Sequence, residues 1–166
     1  MEKRTLGKIE RKHLPLIKSW RNSQREILRQ NKILTDIDQN KWFNFIQKDA
    51  RQKLFSLFEN GNLFGYCGLT NIDRENKRAE ISFLVNPDRV KNSRTYKEDF
   101  LFALSALCNE GFRKLKLNKI FTETFEYRKN HMKILESFGF KKEAVMQKQY
   151  YKKGKFYNSI IHSKFK

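Results

Sequence analysis

Apolar and polar positions alternate along residues 78–85, near the middle of the chain. The apolar positions are Ala79, Ile81, Phe83 and Val85. A period of two is typical of a β-strand with one face in a hydrophobic core, so a strand is predicted here. Pro87 follows and ends the pattern, because proline has no amide hydrogen to donate to a sheet.

A helical pattern follows a polar, basic loop at residues 88–94. Thr95 and Glu98 have the spacing of a capping box, in which both side chains bind free amides at a helix start. One face of the predicted helix is apolar: Phe100, Leu101, Leu104, Leu107, Cys108 and Phe112. Free amides at such a helix start bind anions, phosphates above all. An ordinary strand–helix connection explains the same pattern equally well.

The other periodic segments complete an α+β domain. Further strands are predicted at residues 5–9, 53–59, 63–70, 119–124, 140–151 and 156–165, and further helices at 14–23, 24–30, 130–138 and from 35 onwards. Gly61 and Gly154 mark hairpin turns, and Gly65 and Gly68 indicate a bulge or a close approach of two backbones. Because no repeat, linker or low-complexity tract interrupts the pattern, residues 1–166 are predicted to form one domain.

The composition predicts a folded cytoplasmic protein. The chain is 39% hydrophobic and 14% aromatic, which is ample for a core. No apolar run approaches the roughly 18–20 residues of a membrane span, and the N-terminus lacks the apolar segment of a signal peptide. Cys67 and Cys108 lie within apolar patterns without ligand spacing, which favours two buried, reduced thiols and no metal site.

The formal net charge is +18. Such an excess favours anionic partners, including nucleic acid and phosphate-bearing small molecules. The lysines are spread from end to end, however, as in any lysine-rich proteome. Nucleic-acid binding therefore remains open but is not favoured by the charge alone.

Several short strings resemble sequences of the GCN5-related N-acetyltransferase (GNAT) family. Ala79-Glu-Ile-Ser-Phe83 is similar to its strand A-E-I-G-Y, and residues 112–120 resemble the bridge F-x-x-L-x-L-x-x-I. Residues 127–143, with Lys153-Gly-Lys-Phe-Tyr157 after them, are similar to strings of the ribosomal-protein alanine acetyltransferases. Trp20-Arg-Asn22 and Asn40-Lys-Trp-Phe43 resemble the aminosugar acetyltransferases of the pseudaminic-acid type.

This resemblance implies a fold and a donor. The fold would be a mixed, mostly antiparallel twisted sheet of about seven strands, flanked by helices. The donor would be acetyl-CoA, with its pantetheine between parted strands and its pyrophosphate on the loop before the central helix. The residues that the resemblance places around acetyl-CoA are Leu84, Val85, Arg89, Lys91, Arg94, Thr95, Tyr96, Arg128 and Asn130.

The loop departs from the family pattern Q/R-x-x-G-x-G/A, in which glycines let backbone amides approach the diphosphate. This loop has no glycine, and counting back from Phe112 places the glycine positions near Tyr96 and Glu98. Glu98 and Asp99 bring negative charge to the first turn, where it would repel a diphosphate. Arg89, Lys91 and Arg94 would instead hold the phosphates by their side chains. Leu135 stands where many members carry a tyrosine acid.

Acetyl transfer to an amine requires a base, a polarised carbonyl and close positioning. Glu80 is the predicted base, acting directly or through a water, and an amide near Val85 would polarise the carbonyl. His131 and Tyr127 are candidate acids near the thiolate. The alternatives are that Glu80 pairs with a lysine or arginine on a solvated face, and that His131 is a surface residue.

Trp20, Arg21 and Asn22 are the predicted acceptor contacts, because an indole and a guanidinium suit a nucleotide sugar. A core tryptophan beside a solvated arginine is the alternative. We therefore expect an acetyl-CoA-dependent N-acetyltransferase of a primary amine, with an aminosugar nucleotide as one candidate acceptor, in a monomer or homodimer. Two other hypotheses stay open: a protein N-terminal acetyltransferase, and an inactive binding module with a degenerate loop.

Overall fold

Seven strands form one sheet in the computed structural model, which describes residues 3–166. The strands are β1 (Arg4–Gly7), β2 (Lys53–Glu59), β3 (Asn62–Asp73), β4 (Arg78–Val85), β5 (Lys119–Phe125), β6 (Lys141–Lys152) and β7 (Lys155–Phe165). Their order is β1-β2-β3-β4-β5-β7-β6, and only β4 and β5 are parallel. The predicted α+β fold with a mostly antiparallel seven-stranded sheet is confirmed.

Five helices cover the two faces of the sheet. They are α1 (Leu14–Ser23), α2 (Asp36–Lys48), α3 (Pro87–Lys91), α4 (Ser93–Cys108) and α5 (Lys129–Ser137), and α4 continues into a π-helical turn at Asn109–Lys114. None of the helices within residues 3–166 combines the length and apolarity that a membrane span requires.

Two local predictions are wrong. The segment 24–30 contains a single 3-10 turn, Arg25–Ile27, in place of a helix. The predicted loop 88–94 contains α3, and α4 begins at Ser93 with Asn92 as its cap. The capping box at Thr95 is absent because the Asn92 side chain accepts a hydrogen bond from the Thr95 amide at 3.0 Å. Tyr96 and Glu98 consequently lie inside the helix and outside the loop.

The alternating side chains of β4 pack into two hydrophobic clusters on opposite faces of the sheet. Ala79, Ile81 and Val85 pack in the cluster beneath α4 and α5. Leu84 packs on the other face with residues of α1 and α2. Cys67 is buried as predicted, whereas Cys108 is only half-buried, and both are free thiols.

The two glycines of β3 allow a close approach of neighbouring backbones, as predicted. A Cβ at Gly65 would lie 2.5 Å from the Leu84 carbonyl oxygen, and one at Gly68 would lie 2.6 Å from the Lys53 carbonyl oxygen. No side chain fits at either position. These glycines therefore hold the centre of the sheet, including β4, in tight register.

Strands β4 and β5 part after three residue pairs. The pairs are Arg78–Lys119, Ala79–Ile120 and Glu80–Phe121. Beyond them β4 continues to pair with β3 as far as Val85, and β5 continues to pair with β7 as far as Phe125. A gap therefore opens in the middle of the sheet, directly beyond Glu80.

Candidate active site

A cavity occupies this gap. The side chains around it come from β3, β4, β5, β6, β7, the start of α5 and the segment before α2. They include Leu28, Arg29, Tyr66, Glu80, Ser82, Phe83, Glu123, Phe125, Arg128, His131, Tyr150 and Ser159. Three predicted site residues, Glu80, Arg128 and His131, thus lie around one space.

Glu80 is buried in this cavity and points away from the core that Ile81 and Ala79 enter, as the alternation predicts. Its Oε1 accepts a hydrogen bond from Arg29 at 2.5 Å, and its Oε2 accepts one from Asn71 Nδ2 at 3.0 Å. The carboxylate is therefore paired with an arginine, as the alternative interpretation held. The pair, however, lies at the gap and not on a solvated face.

Glu123 is a second carboxylate at the gap, and the sequence analysis missed it. It lies on β5, and its Oε2 accepts a hydrogen bond from the same Arg29 at 3.2 Å. Its Oε1 accepts one from Ser159 Oγ at 2.6 Å. The alternation of β5 contained a usable signal, since Glu123 shares a face with Phe121. Arg29, in an irregular segment, carries no comparable signal.

His131 and Tyr96 form a buried pair on the α4–α5 side of the gap. Tyr96 Oη lies 2.8 Å from His131 Nδ1, and Arg128 donates a hydrogen bond to Tyr96 Oη at 2.9 Å. The His131 ring stacks on Phe100 with centroids 4.2 Å apart. Burial, followed by the charge of Arg128, holds the pKa of His131 well below its usual range. His131 is therefore neutral at pH 7 and is not a surface residue.

The start of α4 is open to solvent. Asn92, Ser93 and Arg94 are exposed. The acidic side chains of the first two turns do not cover this end, because Asp99 is buried against arginines and Glu98 pairs with Arg94 at 3.1 Å. One amide, that of Thr95, is taken by the Asn92 cap. The helix start can therefore still receive an anionic group, without glycine.

Comparison with known protein families is consistent with this geometry, in which a gap between parted strands accompanies an exposed helix start. The sequence model described as "Acetyltransferase (GNAT) domain" matches residues 6–161. The chain belongs to the GNAT family. It is an acetyl-CoA-dependent N-acetyltransferase of the GNAT type, and the hypothesis of an inactive binding module is not supported.

The relatives agree with this assignment. The uncharacterised N-acetyltransferase p20 of Bacillus licheniformis is 27% identical over 138 residues, covering 80% of this chain and 75% of p20. The uncharacterised N-acetyltransferase YoaA of Bacillus subtilis is 26% identical over 101 residues, covering 61% of this chain and 54% of YoaA. Spermidine N-acetyltransferase from Vibrio cholerae, solved with CoA and spermine, has a TM-score of 0.86 at 18% identity, covering 98% of this chain and 95% of that one.

The residues of this GNAT protein that were predicted to contact acetyl-CoA lie at the end of β4 and near the start of α4. Leu84 and Val85, at the end of β4, are both buried in the hydrophobic clusters and are not among the described residues that line the cavity. The Val85 carbonyl accepts a hydrogen bond from Gln24 Nε2 at 2.8 Å, which ties α1 to this end of the strand. Lys91 and Arg94 are exposed near the α4 start and pair only with exposed or half-exposed carboxylates. Such surface pairs contribute little stability, so both cations are free to exchange their partners for a phosphate.

Arg89 is engaged inside the fold of this acetyltransferase. Its guanidinium donates hydrogen bonds to Asp99 at 2.6 and 2.7 Å and to Glu59 at 2.8 and 3.0 Å. It also lies over the Phe64 ring, 4.3 Å from the centroid. A diphosphate would have to compete with two carboxylates for this side chain.

The remaining predicted residues lie outside the gap. Tyr127 donates a hydrogen bond to the Glu26 carbonyl at the cavity mouth and stacks on Phe125. Asn130 is exposed in the first turn of α5. Leu135 is fully buried in the core.

The three residues predicted to contact the acceptor instead pack α1 against neighbouring segments of the fold. Trp20 is buried in the cluster beneath α1 and α2. Arg21 lies over the Trp42 ring, 5.3 Å from its centroid. The Asn22 side chain binds both the amide and the carbonyl of Leu34. None of the three is among the described residues that line the gap.

Proposed function

We propose that this GNAT protein acetylates the primary amine of a small molecule, and that the ammonium group enters between Glu80 and Glu123. The observation that carries the proposal is the pair itself. Two carboxylates, the buried Glu80 of β4 and the partly buried Glu123 of β5, converge on one cation where the strands part. A cation is needed there because unpaired buried charges are costly, and an ammonium meets that need.

In this proposal Glu80 removes the proton from the ammonium. Acetyl-CoA supplies the acetyl group as a thioester, from which the CoA thiolate is the leaving group. The amine nitrogen then bonds to the acetyl carbon while the carbon–sulfur bond breaks, and the thiolate takes up a proton. Glu123, held by Ser159 and close to Tyr150, keeps the amine in position. Positioning and proton removal are the two contributions that such a transfer needs most.

On the donor side, we assign the diphosphate to the exposed start of α4, with Lys91 and Arg94 as exchangeable cations. Arg89 is left out because its charge already satisfies Asp99 and Glu59. Arg128, which precedes α5 and lines the gap, is a further cation on this side. Helix amides and side-chain cations together are a common way of binding phosphate.

A small cationic amine fits the carboxylate pair better than the other acceptors do. The Vibrio cholerae neighbour is named for spermidine and was solved with spermine, and a polyamine offers the cation that this gap accepts.

An aminosugar nucleotide is the second candidate, supported by a separate recess that Tyr127, Tyr157, Lys152 and Lys153 line. Its aromatic rings and lysines would suit a nucleotide. We find no comparable feature for a protein N-terminus in residues 3–166.

Replacing Glu80 tests the proposal. Glu80→Gln should lower kcat with a primary amine by about a hundredfold, because general-base catalysis contributes on that order. Its affinity for acetyl-CoA, measured by calorimetry, should be unchanged. Glu123→Gln should mainly raise the KM for the amine.

Release of CoA thiol is the measurement, with spermidine, an aminosugar nucleotide and a peptide with N-terminal alanine as acceptors. Glu136→Gln, on the exposed side of α5, is the control. Turnover with the peptide alone, or an unchanged kcat in Glu80→Gln, would contradict the proposal.

A further inference from the structure

Arg29 already lies in the position that the proposed function gives to the acceptor's ammonium. One guanidinium nitrogen is 2.5 Å from Glu80 Oε1, and another is 3.2 Å from Glu123 Oε2. The guanidinium thereby joins the two sides of the gap. An incoming ammonium and this guanidinium cannot both bind the same carboxylate oxygens.

Both carboxylates have a second, uncharged partner on the other oxygen. Asn71 donates to Glu80 Oε2 at 3.0 Å, and Ser159 donates to Glu123 Oε1 at 2.6 Å. Departure of Arg29 would therefore leave each carboxylate oriented toward the gap. The site is arranged so that one cation can replace another.

The segment that carries Arg29 is fixed by contacts that do not involve its guanidinium. Lys152 Nζ donates to the carbonyls of Arg25 and Leu28, each at 2.6 Å. Asn22 holds Leu34 at the other end of the segment. The Arg29 side chain is half exposed, in contrast to the two carboxylates. It can therefore swing into solvent while the backbone stays in place.

We propose that Arg29 is a resident competitor for the acceptor, which occupies the ammonium site until a cationic amine displaces it. This inference rests on the proposed function. It makes Arg29 a specificity residue, because an acceptor without a strong cation cannot displace the guanidinium. It also gives a cause for product release, since acetylation turns the ammonium into a neutral amide. Arg29 then regains both carboxylates.

Chemical rescue tests the inference without turnover. Arg29→Ala should lower Tm by about 5 °C, because the buried Glu80 and the partly buried Glu123 lose their cation. Millimolar methylguanidinium chloride should raise the Tm of this variant in a saturable way and leave that of the wild type unchanged. Arg29→Ala/Glu80→Gln/Glu123→Gln should show no rescue. Lys32→Ala, in the same segment and with a surface partner, is the matched control.

Kinetics provide the second readout. If the guanidinium fills the site about nine-tenths of the time, its removal should lower the KM for a cationic amine about tenfold. Arg29→Lys keeps the positive charge, so its KM for the amine should stay close to the wild-type value. This variant replaces Arg29→Ala in the test if the alanine variant folds poorly.

Two results would overturn the inference: equal methylguanidinium effects on variant and wild type, or a KM that rises in Arg29→Ala. Rescue by methylguanidinium without acetylation of any amine would instead overturn only the proposed function.

Discussion

Among single residues, His131 has the most constrained environment near the gap. It is buried, stacked on Phe100 and hydrogen-bonded through Nδ1 to Tyr96. A histidine that is neutral at pH 7 cannot supply a proton as an imidazolium. Its contribution is to fix the Tyr96 hydroxyl, and through it Arg128, beside the space where acetyl transfer is proposed.

The lowered pKa of His131 has a consequence for stability. The unfolded chain binds a proton at this residue below about pH 6.5, whereas the folded protein does not, so stability is lost as pH falls below that value. The free energy of unfolding should therefore fall measurably between pH 7.5 and 5.5. His131→Gln keeps an acceptor for Tyr96 and should show a correspondingly smaller loss in urea unfolding. Identical pH slopes for the two proteins would refute the assignment.

The residues of the site differ in how far the sequence could predict them. Glu80 was predictable because alternation fixes the face on which a strand residue lies. Glu123 shares that logic, but only the parting of β4 and β5 brings it close to Glu80. Arg29 lies in an irregular segment, where no periodicity indicates the direction of a side chain. Arg89 has the chemistry of a phosphate ligand, yet carboxylates distant in sequence engage it.

Among elements, the junction of β1, β2, α3 and α4 depends on one charged cluster. Asp99 of α4 is fully buried between Arg89 of α3 and Arg4 of β1, and Arg89 also binds Glu59 of β2. Buried charges of this kind are tolerated only when each is paired. The cluster therefore fixes the position of the α4 start relative to the sheet.

Neighbouring acidic residues of α4 should respond very differently to neutralisation. Asp99→Asn removes one of the two carboxylates that Arg4 and Arg89 share, and the fully buried one, and should cost about 3 kcal/mol of unfolding free energy. Glu98→Gln, at an exposed residue one position earlier, should cost much less, because surface ion pairs contribute little stability. Urea unfolding of both variants measures the difference. Similar losses in the two would show that the cluster does not stabilise the junction.

Periodicity predicted nearly every helix and strand, because each element buries one face. It failed at the start of α4, where two residues are equally suitable as the helix cap. Thr95 and Asn92 are both good caps, and the choice of Asn92 depends on α3, which Pro87 begins. The gap was implied by the family resemblance, since loss of pairing between two strands leaves no pattern in either strand.

At the scale of the whole molecule, a net charge of +18 surrounds the carboxylate pair of the gap. A field of this sign attracts an anionic donor and repels a cationic acceptor before either reaches its site. The carboxylate pair must therefore bind the amine against a repulsive background. Screening by salt should change the two affinities in opposite directions.

Salt dependence therefore distinguishes the two acceptor classes. We expect the KM for spermidine to fall between about 10 mM and about 100 mM salt, as the screening length shortens from about 30 Å to about 10 Å. The KM for acetyl-CoA should rise over the same range. An aminosugar nucleotide, being anionic, should behave like acetyl-CoA. Initial rates at fixed pH measure all three, and a spermidine KM that rises with salt would contradict the expectation.

Strand β6 ends the sheet, and its outer edge has no neighbour within residues 3–166. Unpaired edges of this length invite stacking of molecules into fibres. Lys141, Lys142 and Lys148 lie along it, and the pairing with β7 is interrupted between Met146 and Tyr150. Repelling charges and a kinked edge both oppose such stacking. Part of the basic surface thus keeps the molecules dispersed, so exchanging these lysines for neutral residues would invite precipitation.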